Sequence, residues 1–581
     1  MVKNVLRAHS IPIVLLVLVL INSWSLFIPG LGFGHDINHA ARVFEMAQGL
    51  REGVFPVIWS QNLAYGYGMP LFEFYAPLPY FLGAIFYLIG FNLTLAIKLL
   101  IFCSSVVMAV SAYQWTKYLF KDSRAALLST AVLLFAPYRA VDLIRAAYSE
   151  LWAIAFIPFV LLGISMIIDK KRWGGVCLSL SFAAVLVSHN ITALLLSPFL
   201  LLYTLGYLLL QKRVLRKQVV SLLKLAGYGL LGIGISAFYS IPALIEKHFT
   251  QIDNFILDSY YNIHQHFLYI RQFIKPWGDW EYGGSGWGPN DEMSYFLGYP
   301  QLLILLVVLI LTILAIKRRG KLYKLQVLGL ILTMLSLLLT LLKTQGLWDL
   351  VPIAQYVQFP WRLLGIVVVF SSALAGTSYL LFKKKLRTKY FVLVLGLLLL
   401  CNTRYFRNEK YIDHSSEYQD YRSHILNESS NNLYDYLPKD LSFFHKVGFY
   451  LYRDHAFPKM AVPSQSVVQS LQETYQVSKV SEGTTQKTFT IEVGEAQNIS
   501  LNLAAYPGWV VFIDGKQQKW FVDSMGLLSF SVPAGNHQVL VQLRDTPIRR
   551  MGKFISVLSA LSVISLALIS GKQKTFLKFF S

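Results

Sequence analysis

Glu150–Arg172 reads ELWAIAFIPFVLLGISMIIDKKR. No residue from Leu151 to Ile168 carries a charge, and the run then stops on an acid and three basic residues. A helix rises about 1.5 Å per residue, so an uncharged run of this length covers roughly the 30 Å of hydrocarbon in a bilayer. The basic cluster behind it belongs at a membrane surface.

The same phrase recurs outward in both directions. Apolar runs fall at 11–29, 93–116, 125–138, 150–168, 173–188, 190–210, 222–244, 297–316, 325–342, 361–382, 389–404 and 553–571. Only 14% of the 581 residues are charged and 55% are hydrophobic, where a soluble domain carries about 25% charged residues. The pattern predicts an α-helical polytopic membrane protein of about 12–13 transmembrane helices. Residues 11–29 have the look of a signal peptide, but no small-residue cleavage site follows, and they read as a span that stays.

The net charge of +21 does not point to nucleic acid. Lys and Arg sit in short loops: Lys117–Arg124, Lys170–Arg172, Lys212–Lys217, Lys317–Lys324, Lys383–Lys389 and Lys572–Lys578, with Lys3 and Arg7 ahead of the first span. With the N-terminus inside, the twelve runs put every one of these clusters on the cytoplasmic side, as the positive-inside rule requires. Both termini are then cytoplasmic. Segments 30–92, 139–149, 245–296, 343–360 and 405–552 are extracytoplasmic. A further apolar run, 78–91, would invert this order if it crossed. It is short and follows Pro77 and Pro79, which suits a re-entrant or interfacial segment.

Three regions result: a membrane domain over 1–404, an extracytoplasmic β-rich domain over 405–552, and a final span with a basic tail over 553–581. Alternation within Lys487–Val493, Asn498–Leu503, Trp509–Ile513, Leu527–Val532 and His537–Leu543 reads as strands. Asp514-Gly515 and Pro533–Asn536 supply turns between them. A small antiparallel β-sandwich is expected, acting as a glycan-binding unit, a cover or a purely structural cap. Cys103, Cys177 and Cys401 all lie in apolar runs, so no disulfide framework is expected.

Residues able to carry chemistry gather at span ends. His35 and Asp36 follow the first span directly. A carboxylate there can ligate a divalent cation (Mg or Mn) or act as a general base, or Asp36 can simply cap the helix that Ala40, Phe44 and Ala47 suggest. Arg42 and Glu45 lie on that helix. Arg139, Asp142, Arg145, Tyr148 and Glu150 crowd the loop 139–149 and the next span start. They read either as solvated charges or as phosphate-binding arginines with Glu150 as a second metal ligand. His189 marks the tip between two spans, as a ligand, a proton relay or a hydrogen-bonded loop residue. Gln358-Phe-Pro-Trp-Arg362 opens another span, where Arg362 reaches the depth of a lipid phosphate or snorkels beside the interfacial Trp361. The loop 245–296 carries Trp277-Gly-Asp-Trp280-Glu-Tyr-Gly-Gly-Ser-Gly-Trp287, suited to a sugar face, a mobile lid or plain packing. No Walker loop, post-strand GxGxxG or HExxH occurs.

An acid just after the first span, a juxtamembrane helix and Glu73 ahead of a Pro-Leu-Pro segment resemble the GT-C fold of membrane glycosyltransferases. The runs GYGMPLFEFYAPLPY (66–80), YSELWA (148–153) and QFPWR (358–362), with Tyr506-Pro-Gly-Trp509 and Val532–His537, resemble more closely the YfhO-like, 6-pyruvoyl-tetrahydropterin-synthase-related bacterial membrane proteins. The resemblance implies a sugar taken from a polyprenyl-phosphate-linked donor and placed on an envelope glycan, lipid or protein. It implies Asp36 as catalytic base or metal partner, and carboxylates at Glu73 and Glu150. Arg42, Glu73, Arg145, His189 and Arg362 become the expected substrate and phosphate ligands, and His35, Asp36 and Glu150 the expected metal set. The Asp-Glu pair of many members is here Asp36-Ile37. A lipid or glycan transporter and a non-catalytic envelope scaffold are the competing functions.

Overall fold

The structure is a computed structural model describing residues 2–32, 38–211, 215–253, 259–275, 284–315, 317, 320–412, 436–441, 468–469 and 475–571. His35, Asp36 and most of the loop stretch 276–287 lie outside the described residues.

Each of the twelve apolar runs contains helix. Among the described residues nine helices are long and apolar enough to cross a membrane, and Ser10–Asn22, Leu78–Leu88, Gly174–Ser188 and Tyr299–Leu314 are shorter apolar helices. The chain is a multi-pass α-helical membrane protein with a C-terminal antiparallel sheet domain tethered by a last apolar helix, Pro547–Gly571.

Helix α1 (Val2–Asn22) ends earlier than the run 11–29 suggests. A 3-10 turn follows, and a short strand, β1 (Leu31–Gly32), pairs antiparallel with β2 (Tyr411–Ile412). The next helix, α2 (His39–Arg51), takes Asn38 as its N-cap residue. The Asn38 side chain makes no cap hydrogen bond to the helix, and Asp36 as a cap lies outside the described residues. Nor does α2 lie on a membrane surface as an amphipathic helix would: Arg42 and Glu45 are buried in protein. Burial is tolerated because Glu45 accepts from the Asn62 backbone (3.2 Å) and side chain (2.6 Å).

After a single turn, α3 (Leu71–Phe74), comes α4 (Leu78–Leu88). Its eleven residues span only about 16 Å, too little for a bilayer. It packs on α2, where Gly83 admits Val43; a Cβ on Gly83 would stand 2.8 Å from that side chain.

The bundle begins with α5 (Leu93–Phe120), capped by Asn92. Capped by Asp122, α6 (Ser123–Leu134) is followed across a break by α7 (Pro137–Ile144). Pro137 at the first helical position sets the break, since it has no N–H to continue the ladder. The segment 139–149, expected as an exposed loop, is thus mostly buried helix. Arg139 donates to Leu134 O (2.8 Å), Asn22 Oδ1 (3.1 Å) and Ser105 Oγ (3.2 Å).

Helix α8 (Tyr148–Ile168) is buried along almost its whole length and forms the centre of the bundle. It lies close against α9 (Gly174–Ser188), where a Cβ on Gly163 would sit 2.6 Å from the Leu178 nitrogen. Beyond them run α10 (Asn190–Leu209) and α11 (Leu215–Ile235), the latter separated at Ser236 from α12 (Ala237–Ile245). Helices Tyr299–Leu314, Lys321–Leu338, Leu364–Leu381 and Lys384–Asn402 complete the set. α8 and Leu364–Leu381 are enclosed on nearly all sides, whereas α11 and the last helix expose most of their apolar surface.

The sheet domain has two antiparallel layers. One has the order β3 (Val468–Gln469), β6 (Gln497–Ala504), β10 (Leu527–Val532), β9 (Trp520–Val522). The other runs β4 (Tyr475–Glu482), β5 (Gln486–Val493), β11 (Gly535–Leu543), β7 (Trp509–Ile513), β8 (Lys516–Gln518). Alternate residues of β5 and β7, Phe489, Ile491, Val493, Val511 and Ile513, are buried between the layers. The domain is docked on the segment between α1 and α5. Ala504 N donates to Tyr67 O (2.8 Å), Thr484 N donates to Glu52 Oε2 (2.6 Å), and Trp59 meets Trp509 edge-on at 5.3 Å.

Candidate functional site

The break before Pro137 and the tight turn into α8 decide where the charges go. α7 ends at Ile144, and Ala146 takes φ +58° to reverse the chain. Glu150 then falls in the first turn of α8, where the helix dipole favours a carboxylate. Tyr138 OH donates to Glu150 Oε1 at 2.6 Å. Arg145 Nη1 lies 3.2 Å from Asp142 Oδ1 and 3.9 Å from Glu150 Oε2.

From the other side of the bundle comes Arg362, in the 3-10 turn Pro360–Leu363 that opens Leu364–Leu381. Its Nε lies 3.7 Å from the same Glu150 Oε2. Its Nη1 donates to Val357 O and to Gln358 Oε1, each at 3.1 Å. Gln358 is held at φ +63°, a conformation costly for a non-glycine residue. Aromatic faces support both guanidinium groups: Arg145 stands 4.4 Å from the Trp361 ring centroid and Arg362 4.8 Å from that of Phe359.

Glu150 is 2% exposed, whereas the Arg145 and Arg362 side chains keep 13% and 10% of their surface. Glu150 Oε2, Arg362 Nε and Asp142 Oδ2 have no hydrogen-bond partner among the described residues. Their ionic contacts are long, so polar capacity is left in the cluster. His189, the extended residue between α9 and α10, joins it. Its Nδ1 meets Thr192 Oγ1 at 2.7 Å. Burial, with Arg362 and Arg145 nearby, holds the imidazole well below its usual pKa and hence neutral. His266, packed on Phe359 at 4.5 Å, is likewise lowered to about 4, mainly by burial.

A second ring adjoins. Arg42 stacks 4.1 Å from the Tyr75 ring centroid, and its Nη1 reaches Tyr80 OH at 3.5 Å. Tyr80 OH bonds His39 Nδ1 at 3.0 Å, and His39 Nε2 bonds Ala146 O. His39 lies against Tyr148 at 4.3 Å, and Tyr80 reaches Ser149 Oγ at 3.4 Å. Tyr75 is within electrostatic reach of Arg362. Of the expected residues, Arg42, Arg145, Glu150, His189 and Arg362 therefore share one neighbourhood.

Glu73 is engaged elsewhere. Its carboxylate pairs with Arg549 of the last helix at 2.8 Å, and Arg549 also pairs with Glu246 at 3.0 Å. A substrate ligand at Glu73 would have to break a buried ion pair. Nothing in the sequence singles out Glu246 or Arg549, since each is an ordinary charge flanking an apolar run. Tyr138 is equally inconspicuous at the end of the apolar run 125–138.

The described residues do not fit a divalent metal. Among them no three His, Cys, Asp or Glu side chains converge as a ligand set. Glu150 and Asp142 face Arg139, Arg145 and Arg362, and a dication placed there would meet three guanidinium groups. His35 and Asp36 lie outside the described residues.

Residues 72–408 match the family described as 6-pyruvoyl-tetrahydropterin synthase related domain, membrane protein. The chain belongs to that family. The matched stretch holds Arg145, Glu150, His189 and Arg362, but neither α2 nor the sheet domain. No curated protein matches the sequence. Among solved structures it is similar to ArnT from Cupriavidus metallidurans bound to undecaprenyl phosphate, with TM-score 0.41, 13% identity, and coverage of 66% of this chain and 62% of that one. It is also similar to the oligosaccharyltransferase AglB from Archaeoglobus fulgidus in complex with an inhibitory peptide and a dolichol-phosphate (TM-score 0.41, 11% identity, 72% and 60% covered). A third is the arabinofuranosyltransferase AftD from Mycobacteria (TM-score 0.44, 13% identity, 72% and 29% covered). The chain spans less than two thirds of the length of each of these proteins.

Proposed function

We propose that this protein is a membrane glycosyltransferase of GT-C type. It takes a sugar from a polyprenyl-phosphate-linked donor and transfers it to a glycan, lipid or protein of the cell envelope, on the extracytoplasmic face. One observation carries the reading: Arg145 and Arg362, from separate span ends, converge on the buried Glu150 while each keeps an open edge.

That arrangement suits a phosphate held at membrane depth. Glu150 and Asp142 orient the guanidinium groups and offset part of their charge. The guanidinium surface that each side chain keeps exposed can donate to phosphate oxygens. During transfer the bond between the anomeric carbon and the phosphate oxygen breaks, and the electron pair stays on the polyprenyl phosphate. Two fixed guanidinium groups stabilise that growing charge without reorganising. The acceptor hydroxyl forms the new bond to the anomeric carbon, and its proton passes to a carboxylate, for which Asp36 is the candidate. Neutral His189 adds no positive charge and serves as a hydrogen-bonding wall. The chemistry assigned to these residues needs no metal.

The test is mass spectrometry of envelope glycans from cells lacking the gene, complemented by wild type or by R145A/R362A. Wild type should restore a glycan modification and the double variant should not, at equal protein level. Identical envelope glycans with and without the gene would overturn the assignment.

A further inference from the structure

The arginine site occupies one end of α8, and the other end carries a second charged cluster. From Glu150 to Asp169, which follows the last residue of α8, the helix covers about 28 Å. That is close to the roughly 30 Å of bilayer hydrocarbon. Asp169 therefore sits at the opposite headgroup layer.

Two phenols hold its carboxylate. Tyr118 OH donates to Asp169 Oδ2 at 2.9 Å and Tyr207 OH donates to the same oxygen at 3.0 Å. A lysine lies over each ring: Lys121 Nζ is 4.0 Å from the Tyr118 centroid and Lys321 Nζ 5.6 Å from that of Tyr207. Lys117, Lys171 and Lys321 all act electrostatically on Lys121. Lys117 Nζ donates to Ser123 Oγ at 2.7 Å. Lys121, Lys171 and Lys321 are exposed.

The sequence shows only that these loops are basic. The fold brings Lys117 from α5, Lys171 from the α8–α9 turn and Lys321 from the start of Lys321–Leu338 within electrostatic reach of Lys121, which itself interacts with a carboxylate already engaged by tyrosines. Tight turns help to place them, for Lys121 and Lys170 both adopt left-handed backbone (φ +58° and +60°). None of the four makes an ion pair within 4.0 Å with a described residue. Like charges gathered this way repel one another unless an anion joins them. A topology signal needs basic residues only somewhere in each loop, not gathered at one point.

We propose that Lys117, Lys121, Lys171 and Lys321 form a binding site for the headgroup phosphate of an anionic phospholipid. Depth selects the occupant: the cluster lies at the end of buried apolar helices, where phospholipid headgroups are at high local concentration. Ammonium groups on flexible stems accommodate a headgroup of variable position, as a rigid fork would not.

The test uses the full-length protein in neutral detergent. Its thermal unfolding is followed with added phosphatidylglycerol, phosphatidylcholine or inorganic phosphate. Wild type should be stabilised by phosphatidylglycerol well beyond phosphatidylcholine, and high salt should erase the difference. K121Q/K321Q should lose that preference, while K516Q/K519Q, with the same charge change in the sheet domain, should keep it. Native mass spectrometry of wild type against K171Q supplies a second readout that needs only the milder variant, and retained phosphatidylglycerol should fall several-fold. Equal response to the two lipids, or full preference in both lysine variants, overturns the proposal. An equal shift with inorganic phosphate overturns the lipid as occupant.

Discussion

Arg549 Nη2 lies 2.8 Å from Glu73 Oε2, joining the start of the last helix to the turn just ahead of α4. The same nitrogen stands 3.0 Å from Glu246, beyond α12. Thr546 donates to Glu246, and Arg549 Nη1 donates to Pro507 O of the sheet domain at 3.1 Å. One guanidinium group thus ties four parts of the chain together. It lies 2% exposed between two carboxylates that are also buried, Glu73 at 1% and Glu246 at 4%.

Removing that cation leaves two buried carboxylates facing each other. Arg549→Met is expected to destabilise the protein by about 3–5 kcal/mol, the usual cost of breaking a buried pair on one side. Thermal unfolding in detergent reads it. Adding E73Q and E246Q to R549M should recover much of the loss, because no uncompensated charge then remains. An R549M protein as stable as wild type would show that the pair contributes nothing.

The node also titrates. Burial first, then its hydrogen bond to Glu246, raises the Glu73 pKa well above its ordinary 4.5, against the opposing pull of Arg549. Tyr506, Asp545 and Lys553 also line this region. A carboxyl whose folded pKa exceeds its unfolded value binds protons more tightly when folded. Its contribution to stability is therefore full below about pH 4.5 and is lost as pH rises through the raised folded value. Glu73→Gln mimics the protonated form, so its advantage over wild type should grow with pH above that point. Paired melting curves across the pH range check this, and a constant difference would contradict it.

Much of this fold is legible in the residues because its elements are long and chemically uniform. An uncharged run such as 151–168 can be little else than a buried span, and strict alternation in KTFTIEV exposes β5. The breaks at Pro137 and Ser236 are harder, because hydropathy does not change across them. The site divides the same way. Arg145, Glu150, His189 and Arg362 stand out singly as polar groups at span ends, but their convergence is tertiary and no local spacing encodes it. Glu73 lies within the stretch matched to the family, yet its partner Arg549 lies at the far end of the chain.

The arginine site should distinguish charge from shape. Arg362→Lys keeps the charge but loses the fork that reaches Val357 O and Gln358 Oε1 while facing Glu150. If these guanidinium groups stabilise the leaving phosphate, R362K should lower transfer about 100-fold or more, within the range for losing one preorganised donor. Retained polyprenyl-phosphate binding by R362K would place the loss in the transition state. Full activity in R362K would reduce Arg362 to a point charge.

The helix after the first span begins at His39, three residues beyond Asp36. Asp36→Asn keeps size and polarity and removes only the ability to take a proton. Envelope glycan transfer should fall about 10²–10⁴-fold, the span of a lost general base, while membrane insertion, protein level and melting temperature stay at wild-type values. Chelation separates the two roles a carboxylate could play here: a base works on in its presence, whereas a metal partner does not. A D36N protein with undiminished transfer would move the proton acceptor to another group and leave the two arginines as the part of the site still to be explained.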